Sequence, residues 1–173
     1  MDVFLIRHTS VDVAEGFIYG RTDVKLSGTY FQETVPILSQ LPIGIDVVYT
    51  SPSQRCLTLA KEINLNPQID ERLYELNFGD WEGKTWNTIN RQDSEYWMED
   101  YINRSPPEGE SMKQMQKRVS SFWEDLLEIN HQTVVMVTHG GVIRVLLSLV
   151  NKTELKSAFD NSVRFGQVFK IKI

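Results

Sequence analysis

Two histidines and an arginine occupy positions where the sequence predicts that buried strands end. Arg7 and His8 directly follow the apolar run Val3–Ile6, and His139 comes soon after the run Thr133–Val137. In open α/β sheets, ligands bind beyond the carboxyl ends of the strands. One histidine in such a place is more often structural, whereas two histidines with arginine at the same rim favour a functional site.

The arginines and glycines near this rim indicate the charge of the ligand. Arg55 falls in the first turn of the helix after a third apolar run, Val47–Tyr49, where the helix dipole disfavours a cation unless an anion shares that helix end. Gly140 and Gly141 open another helix directly after His139 and offer backbone N–H groups. Two guanidinium groups with such helix ends predict a phosphate or sulfate pocket. The same guanidinium groups would repel a metal ion, so a metal site is not predicted.

A histidine beside a bound phosphoryl group can attack it through a neutral ring nitrogen while arginines stabilise the transition state. Neighbouring cations lower the pKa of an imidazole and keep it neutral near pH 7. The leaving oxygen then needs a proton. Four candidate carboxyl groups lie in one segment: Glu71, Glu75, Asp80 and Glu82. The apolar neighbours of Glu75, Tyr74 and Leu76, suit a proton donor, and solvation at the surface is expected for the other three.

The elements that must position these residues follow from composition and pattern. The chain has 173 residues, of which 41% are hydrophobic and 24% charged, as in an ordinary globular domain. Apolar runs rich in β-branched residues alternate with helix-like segments. This alternation predicts a single α/β domain over residues 1–173, with helices on both faces of a mostly parallel sheet and Val3–Ile6 as the central strand.

Local signals predict where several elements begin and end. Ser51 is expected to cap the helix that follows the second run, with Pro52 in its first position. Pro36 is expected to kink or divide an earlier helix. The alternating segment 166–173 predicts a last strand, at an edge because of its two lysines. A later helix is predicted to bury one apolar stripe: Met112, Met115, Val119, Phe122, Leu126 and Ile129.

Net charge and cysteine content limit the classes of partner. The net charge of −5 argues against a broad nucleic-acid or anionic-membrane contact. The one cysteine, Cys56, cannot form an internal disulfide or a cysteine-based zinc site, which fits a reducing compartment. The sequence shows neither a signal-peptide pattern nor an apolar stretch of membrane-spanning length. We therefore expect a cytoplasmic protein without a nucleic-acid or membrane partner, and its oligomeric state is left open.

Five segments carry a resemblance to a known family and occur in its order: LIRHTS, YTSPSQRCLTLA, LYELNFGDWEG, PPEGES and VTHGGVIRVLL. On these motifs the chain resembles the histidine phosphatase superfamily, which has the phosphoglycerate mutase-like fold. The resemblance implies that His8 is the nucleophile and forms a phosphohistidine. It implies Arg7, Arg55 and His139 as the phosphate pocket. Glu75 is implied as the proton donor and later as the base for water, with no metal and no cofactor.

The N-terminal part is most similar to the α-ribazole phosphatase branch of that superfamily. Thr9 stands where many members have glycine, and the Tyr-Gly pair at 19–20 and the Thr-Asp pair at 22–23 are frequent in that branch. The resemblance implies that Gly20 and Arg21 line the substrate side of the pocket, while Thr9 either adds a hydroxyl to its wall or is a tolerated replacement. It implies a small phosphomonoester, α-ribazole 5′-phosphate of cobalamin nucleotide-loop assembly, as substrate.

Six aromatic residues fall in segments that should border this pocket: Phe17, Tyr19, Phe78, Trp81, Trp86 and Trp97. One or two of them could stack on a benzimidazole-like base, and packing of loops is the alternative for each ring. Arg144, one turn into the helix after His139, is expected to form an intramolecular ion pair. His131 precedes its strand, away from the rim, and is expected to be exposed and uninvolved.

Other functions remain open at the level of sequence. A broad-specificity or sugar-phosphate phosphatase would share the same rim. A mutase is disfavoured because only about 25 residues separate the Glu75 motif from PPEGES, too few for a full closing lid. A non-catalytic phosphate-binding module would be expected to lack His8 or Glu75, and both are present. A metal-dependent or sulfate-handling hydrolase is the remaining alternative.

Overall fold

The computed structural model describes all 173 residues and contains one five-stranded sheet. The order across the sheet is β3-β2-β4-β1-β5, and the strands are β1 (Asp2–Arg7), β2 (Val47–Thr50), β3 (Gln68–Ile69), β4 (Thr133–Thr138) and β5 (Val168–Lys172). The first four strands run parallel, while β5 pairs antiparallel with β1 at one edge. The predicted α/β class, the mostly parallel sheet and the edge position of the last strand are confirmed.

Helices cover both faces of this sheet. They are α1 (Tyr30–Leu38), α2 (Gln54–Ile63), α3 (Arg91–Glu99), α4 (Met112–Leu127) and α5 (Gly140–Asn151). Val3 and Leu5 of β1 pack in the core formed with α4 and α5, whereas Phe4 and Ile6 pack in the core formed with α1 and α2. Burial on both faces explains the continuous apolar run and confirms the predicted three layers. None of the helices combines the length and apolar character that crossing a membrane would require.

The register between β1 and β4 brings the two strand-end histidines together. Arg7 lies opposite Thr138, and the backbone N–H of His8 donates to the carbonyl oxygen of Thr138 at 3.0 Å. The prediction of β1 as the central strand is wrong, because β4 occupies the centre and carries His139. An apolar run cannot distinguish the two positions, since both strands are buried on both faces.

The start of α2 differs from the prediction. The helix begins at Gln54 with Ser53 as its N-cap, so Ser51 is not the cap and Pro52 is not the first helical residue. Ser51 is instead fully buried directly after β2. The turn between β2 and α2 is therefore longer than the sequence signals indicate, and it keeps Ser51 at the strand end.

Two other local predictions differ from the structure. Pro36 lies in the last turn of α1, so few residues follow the missing N–H, and the helix ends undivided at Leu38. Five of the six stripe residues of α4 are buried, but Ile129 lies beyond the last helical residue, Leu127, and is 44% exposed.

Candidate active site

His8 is a buried residue that directly follows β1. Its ring Nδ1 lies 2.7 Å from the carbonyl oxygen of Thr9. Because a carbonyl oxygen only accepts hydrogen bonds, Nδ1 carries the proton and Nε2 keeps its lone pair. Burial, followed by the positive charges of Arg55 and Arg7, lowers the pKa of His8 to about 3. The ring is therefore neutral near pH 7. Burial is the largest cause of the lowered pKa, and the predicted effect of the neighbouring cations lowers it further.

Two arginines flank the histidines, and each has a buried nitrogen that lacks a hydrogen-bond partner. Arg7 donates from Nη1 to the carbonyl oxygen of Val163 at 2.7 Å. Arg55 is fully buried and donates to the carbonyl oxygens of Gly20 at 2.6 Å and Thr22 at 2.9 Å. The Nε–H groups of both arginines are buried and unpartnered. A buried unpaired donor costs about 1–3 kcal/mol, and an oxyanion between the two arginines would remove that cost.

His139 lies beside His8, and protein groups contact both of its ring nitrogens. The two ring centroids are 5.2 Å apart. An Arg55 guanidinium N–H lies 3.3 Å from Nδ1, and the hydroxyl of Ser51 lies 2.8 Å from Nε2. A guanidinium only donates, so Nδ1 accepts and the proton is on Nε2. Burial, then the charges of Arg55, His8 and Arg7, hold the pKa of His139 well below its usual value.

Ser51 is a site residue that the sequence analysis missed. Helix-capping signals assigned it to α2, although it directly follows a buried strand, as His8 and His139 do. Its place at the carboxyl end of a buried parallel strand is the signal in the sequence that identifies Ser51.

Glu75 is fastened to the start of α5. Its carboxylate accepts the backbone N–H of Gly141 at 3.1 Å and that of Leu76 at 3.0 Å. A Cβ atom at position 141 would overlap the Glu75 carboxylate, so glycine is needed for this close approach. The structure thus places Glu75 in contact with Gly141, which follows His139 by two positions. Of the other carboxyl candidates, Glu71 and Asp80 are exposed as expected.

Glu82 is not the solvated carboxylate that the sequence indicated. It accepts the backbone N–H groups of Arg21 at 2.9 Å, Thr22 at 2.8 Å and Phe78 at 3.1 Å. Glu82 therefore fastens the loop around Gly20, and the carbonyl oxygens of that loop hold Arg55. Gly20 has a φ of 40°, and a Cβ there would overlap the Glu82 carboxylate. The loop depends on this glycine because of both its backbone conformation and its contact.

The other residues assigned to the substrate have different surroundings. The Thr9 side chain is buried and its hydroxyl has no hydrogen-bond partner. A Cβ at Gly140 would lie 3.1 Å from an Arg144 guanidinium nitrogen and 3.6 Å from the Arg7 guanidinium. Arg21 directs its guanidinium to Glu110 at 3.1 Å and does not line the adjoining cavity described next.

An apolar cavity of about 240 Å³ adjoins these residues. Its lining includes Gly20, Glu75 and Gly141, which link it to the histidines and arginines. Five of the six aromatic residues considered in the sequence analysis line it: Phe17, Tyr19, Phe78, Trp86 and Trp97. Trp81 is buried and does not line the cavity. Its ring centroid lies 6.1 Å from that of Trp86 and 5.7 Å from that of Trp97, so its role is packing.

Arg144 lines the same cavity without an ion pair. Its Nε donates to the carbonyl oxygen of Asn161 at 3.2 Å, and its guanidinium lies 5.5 Å from the Phe159 ring centre. No carboxylate lies within 4.0 Å of it, so the prediction of an intramolecular ion pair is wrong. Burial, with a contribution from Arg7, lowers the pKa of Arg144. His131, before β4, is partly buried at the other end of that strand from His139.

The strand-end histidines, the paired arginines and the phosphoglycerate mutase-like sheet define a class of protein. The chain belongs to the histidine phosphatase superfamily (branch 1), whose sequence model matches residues 3–173. The enzymes of this family are phosphatases, and the site supports phosphatase activity in this chain.

Proteins similar to this chain are named for different substrates. The Escherichia coli "Adenosylcobalamin/alpha-ribazole phosphatase" is 27% identical over 158 residues, covering 86% of this chain and 78% of the relative. The Hydrogenobacter thermophilus "Putative phosphoserine phosphatase 2" is 29% identical over 167 residues, covering 91% and 82%. The crystal structure of the α-ribazole phosphatase from Shigella flexneri superposes with a TM-score of 0.92 at 24% identity, covering 100% of this chain and 91% of that one.

The two buried histidines should make the stability of the protein depend on pH. The pKa of each is near 6.5 when unfolded, and in the folded chain that of His8 falls to about 3 and that of His139 also falls well below 6.5. Below about pH 6.5 the unfolded chain therefore binds more protons than the folded chain. The free energy of unfolding should fall with decreasing pH, with a slope that approaches about 1.4 kcal/mol per pH unit for each histidine below pH 6.5.

Urea unfolding between about pH 6.5 and pH 5 measures this slope before most carboxylates titrate. In His8→Asn the slope should decrease by one histidine's share, because asparagine does not titrate. A slope that is the same in His8→Asn and in the unmodified chain would contradict the low pKa of His8.

Proposed function

We propose that this chain is a metal-independent phosphomonoesterase that acts through a phosphohistidine and dephosphorylates α-ribazole 5′-phosphate. The observation that supports this substrate is the aromatic cavity beside Glu75. A phosphoryl group held by the arginines would leave the rest of the substrate to occupy that cavity. An aromatic base with a sugar matches its apolar walls better than a small charged leaving group does.

In the first step Nε2 of His8 attacks phosphorus, and the bond from phosphorus to the leaving oxygen breaks. Glu75 donates a proton to that oxygen, so the leaving group departs as an alcohol. The Nε–H groups of Arg7 and Arg55 donate to the phosphoryl oxygens. The hydrogen bond from Nδ1 of His8 to Thr9 stabilises the positive charge that develops on the ring.

In the second step water attacks the phosphohistidine. The Glu75 carboxylate accepts a proton from that water, and the bond between Nε2 and phosphorus breaks. Phosphate leaves, and His8 returns to its neutral form. No metal ion is required, because the guanidinium groups supply the positive charge and would repel a divalent cation.

Three further residues contribute to substrate binding in this proposal, each in a different way. The unpartnered Thr9 hydroxyl is a donor for a phosphoryl oxygen. Gly140 leaves room for an oxygen between Arg7 and Arg144, because it has no side chain. Gly20 acts through its carbonyl oxygen, which orients Arg55.

Phosphoserine is a second candidate substrate, and Arg144 is the observation that favours it. A guanidinium that lines the cavity without a carboxylate partner could bind the carboxylate of phosphoserine. The same guanidinium could instead donate to ribose hydroxyl groups. The mostly apolar lining favours the larger aromatic substrate.

A substrate panel tests the proposal. We expect kcat/KM for α-ribazole 5′-phosphate to exceed that for phosphoserine, sugar phosphates and glycolytic phosphates by at least roughly 10²-fold, with activity retained in excess chelator. Trp86→Ala should raise KM for α-ribazole 5′-phosphate about 10-fold and leave phosphoserine turnover unchanged, because it removes one cavity wall.

The matched control is Tyr96→Ala, which removes an exposed ring of α3 that does not line the cavity. Preference for phosphoserine, or equal rates across the panel, would overturn the substrate assignment. Loss of activity with chelator would overturn the metal-independent mechanism.

A further inference from the structure

Glu75 lies on a part of the chain that has no regular secondary structure. His8 and His139 follow strands, but Glu75 lies between two short 3-10 helices, Glu71–Leu73 and Gly79–Trp81. No strand or helix therefore fixes its backbone. Contacts from other parts of the chain therefore hold the segment 72–77.

Glu110, from the PPEGES segment, is the centre of the contacts that do this. Arg118 of α4 binds the Glu110 carboxylate with two nitrogens, Nη2 at 2.6 Å and Nε at 3.1 Å. Arg21 adds a third hydrogen bond at 3.1 Å, and the backbone N–H of Asn77 a fourth at 3.0 Å. Burial raises the pKa of Glu110, but Arg118, the Asn77 N–H and Arg21 together hold it below its usual value.

The two arginines also hold the backbone of Glu75. Arg118 donates to the carbonyl oxygens of Arg72 at 2.6 Å and Glu75 at 3.1 Å, and Arg21 donates to the carbonyl oxygen of Glu75 at 3.4 Å. The backbone N–H of Glu110 donates to the carbonyl oxygen of Asn77 at 2.9 Å. The segment is thus bound at both ends and at Glu75.

We propose that Glu110 is a positioning residue for Glu75, acting by orienting Arg118 and Arg21 on the backbone that carries the proton donor. This rests on the proposed role of Glu75 as proton donor. Glu110 does not touch the Glu75 carboxylate, which is held by Leu76 and Gly141. Its loss should therefore displace the donor without removing its charge, and a displacement of about 1 Å costs roughly 10²-fold in rate.

The dependence of rate on the leaving group distinguishes positioning from a general structural role. A p-nitrophenolate leaves without a donated proton, whereas an alkoxide needs one. In Glu110→Gln we expect kcat/KM to fall about 10-fold or more for an alkyl phosphate and less than about 2-fold for p-nitrophenyl phosphate. Competitive inhibition by inorganic phosphate should be unchanged, because the contacts of Arg7 and Arg55 do not involve Glu110.

Arg118→Lys is the second variant, because a lysine ammonium cannot bind the carboxylate and both carbonyl oxygens with the geometry of a guanidinium. It should show the same leaving-group dependence, and it gives the readout if Glu110→Gln does not fold. Glu99→Gln is the matched control: it removes a carboxylate from an ion pair with Arg104 outside this network, and should change neither substrate's rate.

Glu75→Gln in the same assays separates the two levels of the proposal. It should lower kcat/KM for the alkyl phosphate at least roughly 10²-fold and affect kcat/KM for p-nitrophenyl phosphate far less, because kcat/KM reports the steps up to formation of the phosphohistidine and not its later hydrolysis, which both substrates share. If Glu75→Gln lowers kcat/KM equally for both substrates, the proton donor of the proposed function is wrong. If Glu75→Gln is selective but Glu110→Gln and Arg118→Lys affect both substrates equally, affect neither, or weaken phosphate inhibition, the positioning role of Glu110 is wrong.

Discussion

Replacement of His8 by alanine is expected to lower kcat at least roughly 10⁴-fold, which is the effect of removing a nucleophile that acts through a covalent intermediate. The Nε2 atom of His8 has its lone pair free because Nδ1 carries the proton that binds Thr9. The other histidine of the site cannot substitute, because both nitrogens of His139 are engaged by Arg55 and Ser51.

The measurement is rapid quenching with labelled substrate, followed by a test for an acid-labile phosphoenzyme. The intermediate should form in the unmodified chain and be absent from His8→Ala. His131→Ala is the matched control, because it removes a histidine from the other end of β4 and should retain both intermediate and turnover. Turnover that persists in His8→Ala would disprove the assignment of the nucleophile.

Arg55→Lys should lower kcat/KM roughly 10³-fold although it retains the positive charge. The guanidinium of Arg55 binds the carbonyl oxygens of Gly20 and Thr22 and contacts His139, and its Nε–H remains available for a phosphoryl oxygen. A lysine ammonium cannot reproduce this planar arrangement. The loss should be similar for alkyl and aryl phosphates, because the phosphoryl oxygens are common to both.

Steady-state kinetics with both substrate types and inhibition by inorganic phosphate measure this effect. Phosphate should inhibit Arg55→Lys much more weakly than the unmodified chain. Arg91→Lys is the control, since Arg91 is an exposed residue of α3 whose side chain binds Glu95. Near-normal phosphate inhibition in Arg55→Lys would show that Arg55 does not bind the phosphoryl group.

The strand ends were the part of the site that the sequence revealed most directly. Apolar runs predicted β1 and β4, and parallel strands place their carboxyl ends at one rim, so His8 and His139 could be paired without a structure. Arg55 could be added because a cation in the first turn of a helix is unusual without an anion nearby. These residues share a property that pattern analysis detects, namely a fixed position relative to a regular element.

The residues that sequence reasoning misjudged depend on loops. Glu82 was expected to be solvated, yet it binds three backbone N–H groups of segments that meet only in the folded chain. Arg144 was expected to form an intramolecular ion pair, and it lines the cavity instead. Neither outcome follows from periodicity, because tertiary contacts set the path of the loops around residues 20 and 82 and of the loop at Asn161 that contacts Arg144.

The pairing of β1 with β4 has a consequence for how the protein acquires activity. These neighbouring strands supply the two histidines, but roughly 130 residues separate them along the chain, so their pairing closes a long loop and costs substantial chain entropy. Structures dominated by such distant contacts fold more slowly than those with local ones. Helices α2 and α4 can form early from local interactions, but the site is assembled only when β4 joins β1. Catalytic activity therefore reports completion of the fold rather than formation of its parts.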